Sequence, residues 1–180
     1  MSPEPGSLVR LHTIGHSTRS FAEFAALLDA HGIGQVADVR TIPRSRRHPQ
    51  FERDALAAAL TARGVAYAHF PGLGGLRRPR RDSPNTGWRN ASFRGYADYM
   101  GTAAFAGALG DLLGFARAAP TAVMCAEAVW WRCHRSLLAD ALVVRGVEVL
   151  HITSAAAPSA HELNPMARLV EAHLTYPSLL

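Results

Sequence analysis

Short apolar runs alternate along the chain with longer segments whose apolar residues recur at helical spacing. The apolar runs predict five strands, at residues 8–14, 35–39, 65–70, 122–125 and 147–152. The segments of helical spacing predict helices at residues 21–31 and 51–60, at residues 96–118 with a break near Gly101, and from residue 137 to a stop at Gly146. We expect a further, partly helical segment at residues 161–173.

Strands that alternate with helices at this spacing indicate βαβ units, in which successive strands lie parallel and the connecting helices cover the sheet. The predicted fold class is therefore α/β: a single domain with a mainly parallel sheet and helices on both faces, in Rossmann-like or flavodoxin-like layering. A chain of 180 residues without internal repeats fits one such domain. We assign residues 8–180 to it, and residues 1–7, which are rich in Pro, Gly and Ser, to a flexible N-terminal tail.

Composition narrows the class of protein. Hydrophobic residues make up 48% of the chain and charged residues 18%, which is typical of a soluble globular protein. No apolar run reaches the roughly 18 residues of a membrane helix, and the N-terminus lacks the apolar core of a signal peptide. The two cysteines, Cys125 and Cys133, do not form a secreted disulfide pattern. We therefore predict a cytoplasmic protein without membrane association.

Positive charge is concentrated in one part of the chain. All 19 basic residues are arginine, and 12 of them lie between Arg40 and Arg94 with only 3 acidic residues. Such a region indicates an anionic partner, either a phosphate-bearing small molecule or a nucleic acid, although a solvated arginine-rich loop has the same composition. A nucleic-acid-binding module would use the basic loops at residues 40–53 and 77–94, with Trp88 as a stacking platform.

Polar and reactive residues follow several of the predicted strands. His16 follows the first strand, Asp38 and Arg40 end the second, and Cys125 and Glu127 end the fourth. The carboxyl ends of parallel strands meet at one edge of a sheet, which is where open α/β folds bind their ligands. We therefore expect these residues, together with the glycine-rich turn after the third strand, to line a single crevice.

The segment between the fourth strand and the last helix holds both cysteines. Cys125 is a candidate nucleophile, metal ligand or small buried residue. Six residues separate it from Arg132, which is longer than the spacing in a phosphatase-type loop, so the pattern does not indicate a cysteine phosphatase. Glu127 is a candidate acid or base, or alternatively a partner of a neighbouring arginine.

The candidate site residues divide into two groups by predicted role. The candidate catalytic residues are Cys125, Glu127, His16 and His134. The candidate substrate-binding residues are Asp38, Arg40, Arg44 and Arg135. Residues 133–135 should lie at the start of the last predicted helix, just before its first apolar residue at 137, where Arg135 could hold an anion beside free backbone N–H groups.

A zinc-binding interaction protein is a third possibility. Its ligands would be Cys125, Cys133, His134 and His16, although this spacing is not that of a paired Cys-x-x-Cys knuckle. The turn at residues 72–75 lacks both the spacing and the lysine of a nucleotide-binding loop. We therefore predict no metal site and no cofactor, and the oligomeric state stays open.

Several short motifs together resemble the domain of unknown function 488 family. They are Thr13–Ser17, Asp38–Ser45 with Pro49–Phe51, Leu73–Gly75, Gly95–Met100, Cys125–Glu127 with Cys133–Arg135, and Val149–Ile152. The resemblance implies a compact, cytoplasmic α/β domain of a bacterial family and marks the same strand-end residues, but it implies no particular reaction. From the residues and the resemblance together, we favour an enzyme that acts on a phosphate-bearing or other anionic substrate.

Overall fold

A computed structural model of the protein describes residues 9–178, so the tail predicted for residues 1–7 lies outside the described residues. The strands are β1 Arg10–Gly15, β2 Gln35–Asp38, β3 Ala66–His69, β4 Thr121–Cys125, β5 Glu148–Ile152, β6 Ser159–Ala160, β7 Arg168–Val170 and β8 His173–Thr175. The helices are α1 Phe21–Ala30, α2 Arg53–Ala62, α3 Ala91–Met100, α4 Ala103–Phe115 and α5 Arg135–Val143. Short 3-10 turns lie at Pro49–Phe51, Pro71–Leu73 and Trp130–Arg132.

The main sheet has six strands in the order β3-β2-β4-β1-β5-β6. Neighbouring strands from β3 to β5 are parallel, and the short β6 pairs antiparallel with β5. β4 lies between β1 and β2, and its register puts Cys125 beside Gly15 and Met124 beside Asp38. The carboxyl ends of these three strands therefore meet at one edge. The predicted α/β class with a mainly parallel sheet is confirmed.

Two hydrophobic cores cover the two faces of the sheet. The first contains side chains of α1 and α2, among them Phe24, Leu28, Leu56 and Leu60. The second contains side chains of α3, α4 and α5, among them Tyr96, Phe105, Leu109 and Leu137. Because successive side chains of a strand point to opposite faces, Met124 belongs to the first core and Cys125 to the second. Cys125 therefore lies on the same side of the sheet as α5.

The start of α5 differs from the starts of α1, α3 and α4. Those three helices are capped by the side chains of Ser20, Asn90 and Thr102, which accept backbone N–H groups of the first turn. The N-cap residue of α5 is His134, and its side chain makes no capping hydrogen bond. The backbone N–H of Arg135 points instead to the sulfur of Cys133, at 3.5 Å. A sulfur atom thus occupies the position of a cap at this helix.

The observed bounds of the main strands agree with the predicted ones to within two residues. The predicted break near Gly101 is also confirmed, because α3 ends at Met100 and α4 begins at Ala103. Within residues 9–178, no helix is both long and apolar enough to cross a membrane.

The prediction of a partly helical segment at residues 161–173 is wrong. The structure has an antiparallel hairpin of β7 and β8 there, and Glu171 and Ala172 between the two strands have positive φ, which a helix does not allow. Beyond the hairpin, the buried Tyr176 donates its N–H to Asn85 and its hydroxyl to Asp140. Hydrogen bonds to distant residues, rather than local helix propensity, therefore determine the conformation of this segment.

Candidate active site

A crevice of about 390 Å³ opens at the carboxyl ends of β2 and β4, beside the start of α5. Its walls are the segment after β2, the glycine-rich turn after β3, the start of α3 and the chain between β4 and α5. The charged, thiol and imidazole side chains that line it are Arg40, Arg44, Cys125, Glu127, Arg132, Cys133 and His134. This edge of the sheet is the one at which the sequence predicts a crevice.

A second recess, of about 580 Å³, lies on the other side of the segment that follows β2. It is larger, but its charged side chains are Arg44, Glu52, Arg53 and Asp54, and no cysteine or histidine lines it. Arg53 and Asp54 already pair with each other at 3.0 Å. The smaller crevice is therefore the better candidate, because the reactive side chains face it.

Cys125 and Cys133 are free cysteines whose Sγ atoms lie 2.9 Å apart. Cys125 ends β4, whereas Cys133 lies between the Trp130–Arg132 turn and α5. Burial and the neighbouring Cys133 sulfur raise the pKa of Cys125, while the hydrogen bond from Cys125 lowers the pKa of Cys133. Cys133 is therefore the more acidic thiol of the pair, and its sulfur is the one that the surroundings favour in the ionised form.

Two further groups lie against the sulfur of Cys133. The Nδ1 atom of His134 lies 3.5 Å from it, and the backbone N–H of Arg135 points to it from the start of α5. The hydrogen bond and charge of His134, and then the charge of Arg135, add to the lowering of the Cys133 pKa. A thiolate at a helix N-terminus, close to cationic groups, is the usual arrangement of a reactive cysteine.

The ring of His134 is held in place by close packing. A Cβ atom added at Gly75 would lie 2.6 Å from its Nδ1 atom, so only glycine fits beside the ring. Tyr96 packs on another side, with the ring centroids 5.2 Å apart. The Nε2 atom is buried and has no hydrogen-bond partner among the described residues. The glycine-rich turn after β3 therefore positions His134 against Cys133.

Arg40 reaches the crevice from a buried ion pair. Its guanidinium donates to both carboxylate oxygens of Asp38, at 2.9 and 2.6 Å, and to the carbonyl of Phe51 at 2.8 Å. Burial acts to lower the pKa of Arg40, but the hydrogen bonds and charge of Asp38 outweigh it and raise the pKa. The hydroxyl of Tyr67 also donates to Asp38, at 2.6 Å. Asp38 thus holds Arg40 in one orientation and does not itself line the crevice.

His16 lies behind Arg40 and does not line the crevice. Its Nδ1 atom is 2.9 Å from the carbonyl of Ser17, which can only accept, so Nδ1 carries the proton. Its Nε2 atom therefore faces the guanidinium of Arg40, at 3.4 Å, with a lone pair. Burial and then the charge of Arg40 lower the pKa of His16 to about 4. His16 is a neutral support for Arg40, stacked on Phe51 at a centroid distance of 4.2 Å.

Arg135 lies beneath the loop that follows β4, not in the crevice. It is 1% exposed, and its guanidinium donates to the backbone carbonyls of Glu127 and Ala128. The Glu127 carbonyl oxygen also packs against Gly15, where an added Cβ atom would lie 1.9 Å from it. Arg135 and Gly15 therefore both fix the backbone of this loop at Glu127, and the Glu127 side chain is exposed at the crevice.

Five of the eight predicted site residues line the crevice: Arg40, Arg44, Cys125, Glu127 and His134. The other three, His16, Asp38 and Arg135, lie behind it. The sequence assigned no catalytic role to Cys133 and no binding role to Arg132, although both line the crevice. The position of Cys133 just before a predicted helix was a usable signal, since helix N-termini stabilise thiolates.

The residues weighed for a zinc site do not converge. His134 and the two cysteines are neighbours, but both ring nitrogens of His16 are turned to Ser17 and Arg40. Throughout residues 9–178, no group of three or more His, Cys, Asp and Glu side chains is arranged to hold a metal ion.

Some side chains of the loop at residues 77–94 pack against aromatic rings of the protein itself. Trp88 is half-buried against Phe93 and Tyr176, with centroid distances of 5.1 and 5.6 Å. The guanidinium of Arg77 lies 3.6 Å from the ring centroid of Tyr99. The arginines of this loop that remain exposed are Arg78, Arg80, Arg81 and Arg89. Trp88 is thus placed to fill the core rather than to stack on a base.

The chain belongs to the DUF488 family, because the family described as "Domain of unknown function DUF488" matches residues 20–142, which is more than half of the chain. The matched range contains all the residues that line the crevice. Two motifs of the resemblance, Thr13–Ser17 and Val149–Ile152, lie outside it. Neither a search of curated proteins nor a search of solved structures found a match.

Proposed function

We propose that this DUF488 protein is a thiol-dependent enzyme that acts on a small anionic substrate, such as a phosphate-bearing molecule. The observation that carries the proposal is the composition of the crevice: a cysteine stabilised as a thiolate shares its walls with Arg40, Arg44 and Arg132. Thiolates are strong nucleophiles, and arginines bind anionic groups with directed hydrogen bonds. Nucleophile and anion site thus occur together.

In this proposal the nucleophile is Cys133 rather than Cys125, which the sequence favoured. Cys125 is the proton donor that keeps Cys133 ionised, and the raised pKa of Cys125 makes it a poor nucleophile at neutral pH. The Cys133 thiolate attacks the electrophilic atom of the substrate and forms a covalent bond to it. As the sulfur bond forms, the bond to the displaced group breaks, and that group takes a proton from His134, which lines the same space. Water then attacks the bound group, gives a proton to the exposed Glu127 carboxylate and releases the Cys133 thiolate.

The arginines define the class of substrate. Arg44 and Arg132 are exposed at the crevice, and Arg40 is buried but oriented by Asp38. Glu127 is the acidic side chain that lines the crevice together with these three cations. The local excess of positive charge raises the concentration of anions at the thiolate. His16, Asp38 and Arg135 act through the residues that they position.

A pair of alkylating agents tests the proposal without knowledge of the natural substrate. Iodoacetate and iodoacetamide react with thiolates in the same way, but iodoacetate carries a carboxylate. Relative to a free cysteine, Cys133 should favour iodoacetate over iodoacetamide several-fold at low salt, and added salt should reduce the preference. Peptide mapping after trypsin, which cleaves after Arg132 and Arg135, identifies the modified thiol.

Substitution of the crevice arginines provides the control. Arg132→Gln and Arg44→Gln should each lower the ratio of the two alkylation rates, whereas Arg117→Gln should leave it unchanged. In Arg132→Gln the two cysteines stay on one tryptic peptide of residues 118–135, and fragmentation of that peptide assigns the modified thiol. Arg117 is exposed near the amino end of β4, at the opposite edge of the sheet. A ratio equal to that of free cysteine, or equal effects of all three substitutions, would contradict an anion site at Cys133.

Nucleic-acid binding stays a second candidate because the basic loops carry exposed arginines on two separate segments, including Arg46, Arg47, Arg78 and Arg81. It predicts binding to single- or double-stranded DNA or RNA that weakens steeply as salt rises. Undetectable binding at low salt excludes it. A cytoplasmic location also belongs to this proposal, since two free thiols in contact suit a reducing compartment.

A further inference from the structure

The two thiols of the crevice are arranged for a reaction with each other. Their sulfur atoms lie 2.9 Å apart, and both residues line the crevice. A disulfide has an S–S distance of about 2.05 Å, so the sulfurs need to approach by only about 1 Å. Cys133 belongs to neither a helix nor a strand, and this shift therefore leaves the hydrogen-bond ladders of the sheet intact.

We propose that Cys125 and Cys133 form a reversible intramolecular disulfide when a hydroperoxide enters the crevice. Cys133 reacts first, and Cys125 resolves the product. The proposal rests on the proposed function in one respect, since it uses the same Cys133 thiolate and the same opening to solvent. It adds an oxidation site and a means of switching the thiol chemistry off.

The chemistry takes two balanced steps. In the first step, the Cys133 thiolate attacks one peroxide oxygen, the S–O bond forms and the O–O bond breaks. The sulfur is oxidised to a sulfenic acid, and the second oxygen leaves as hydroxide or alkoxide and takes a proton from the solvent. In the second step, the Cys125 sulfur attacks the sulfenic sulfur, the S–O bond breaks, and the departing hydroxide combines with the Cys125 proton to form water.

The contacts of the two sulfur atoms determine which cysteine reacts first with the peroxide. The Cys133 sulfur accepts the backbone N–H of Arg135 at the start of α5 and lies 3.5 Å from Nδ1 of His134, and these contacts support the thiolate that attacks a peroxide. Cys125 lies at the end of β4, with its sulfur 2.9 Å from that of Cys133, so it is placed to resolve the oxidised product. Arginines at the opening stabilise the negative charge that develops on the departing oxygen.

The disulfide would remove the nucleophile of the proposed function. With its sulfur bonded to Cys125, Cys133 cannot attack a substrate or an alkylating agent. A dithiol reductant restores both thiols by exchange, and the crevice becomes reactive again. Oxidants thus control the reaction at the site itself, without a separate regulatory domain.

The experiment uses the purified, reduced full chain and one equivalent of hydrogen peroxide. Intact mass spectrometry should show the loss of two hydrogen atoms, and dithiothreitol should reverse it. Trypsin cleavage after Arg132 separates the two cysteines, so the disulfide should link the peptide of residues 118–132 to that of residues 133–135. Monomeric species on a non-reducing gel would establish that the bond is intramolecular.

Two variants test the order of attack. In Cys125→Ser, peroxide should leave Cys133 as a sulfenic acid that a dimedone probe captures, with no disulfide. In Cys133→Ser, peroxide should oxidise Cys125 at a rate at least several-fold lower than the rate at which it oxidises Cys133 in Cys125→Ser. Near-ultraviolet circular dichroism checks the fold of both. Capture of Cys125 first, direct formation of sulfinic acid in the wild type, or disulfides only between molecules would each overturn the proposal.

The two proposals fail in different ways. Loss of the anion preference at Cys133 with normal disulfide formation contradicts the proposed function alone. A normal anion preference without the disulfide contradicts the redox proposal alone.

Discussion

The guanidinium of Arg135 donates to the backbone carbonyl of Glu127, so a buried charge holds the loop that forms one wall of the crevice. The same carbonyl packs against Gly15, where a Cβ atom would come within 1.9 Å of its oxygen. The backbone of the loop is thus fixed at Glu127 by two residues that do not line the crevice. The position of the reactive side chains therefore depends on contacts that lie beneath them.

Replacement of Arg135 by glutamine should destabilise the fold. The substitution leaves the carbonyls of Glu127 and Ala128 without their donor, and an unsatisfied buried group of this kind costs roughly 2 to 4 kcal/mol of unfolding free energy. Chemical denaturation measures the change. The control is Arg132→Gln, three residues away but exposed, which should change stability by less than about 0.5 kcal/mol. Equal effects of the two substitutions would contradict the role assigned to Arg135.

Substitution of Gly75 by alanine should reduce the reactivity of Cys133. The new methyl group would lie 2.6 Å from Nδ1 of His134 and push the ring away from the sulfur. The rate of alkylation by iodoacetamide below neutral pH should fall several-fold. Gly110→Ala is the matched control, because open space surrounds that position in α4. It should leave the rate unchanged and stabilise the helix by about 0.5 to 1 kcal/mol. An unchanged rate in Gly75→Ala would show that His134 does not support the thiolate.

The pKa of Cys133 should depend on the donor at position 125. Since the hydrogen bond from Cys125 is the largest cause of the lowered pKa, its removal in Cys125→Ala should raise the pKa toward the ordinary thiol value of about 8.5. Cys125→Ser keeps a donor and should raise it less. The pH dependence of iodoacetamide alkylation measures both values. The alkylation rates of the two variants should differ in acid and converge above the ordinary thiol pKa. Identical pH profiles of the two variants would contradict the assigned hydrogen bond.

Stability should fall in mild acid because two buried histidines resist protonation. Burial lowers the pKa of His16 to about 4, with help from the charge of Arg40, and burial lowers the pKa of His151 to about 3, with help from His161 and then Arg135. The unfolded chain, with an ordinary histidine pKa of about 6.5, binds these protons first. The stabilisation from the neutral rings is thus complete above about pH 6.5 and is lost as pH falls toward the folded-state values. The combined loss should be several kcal/mol, with an upper bound of about 8 kcal/mol.

Thermal unfolding as a function of pH tests the histidine contribution. His16→Asn keeps a donor for the Ser17 carbonyl but cannot titrate, so its stability should depend less on pH between about 4 and 6.5 than that of the wild type. His173→Asn, at an exposed position, should follow the wild-type profile. A wild-type profile in His16→Asn would mean that His16 does not stay neutral in the fold.

Hydrophobic periodicity was sufficient to predict the layers of the fold. Strands buried on both faces and helices with one apolar face have different spacings, so β1 to β5 and the break at Gly101 could be located from local pattern alone. Parallel strands then imply that their carboxyl ends share an edge, and this rule alone predicts that Cys125 lies near Arg40. The hairpin at residues 168–175 escaped the same reasoning because Tyr176 is held by Asn85 and Asp140 from distant parts of the chain.

The sequence by itself therefore determined the α/β class, the edge of the sheet where the crevice opens and the residue types that gather there. Only the tertiary structure decided that the pKa of Cys133 is lowered while that of Cys125 is raised, and that Arg135 faces inward to the loop. The physical reason is that hydrophobic periodicity indicates only which face of a helix or strand is buried. The protonation of a thiol and the direction of an arginine depend on neighbours within a few ångströms, which here come from separate segments of the chain.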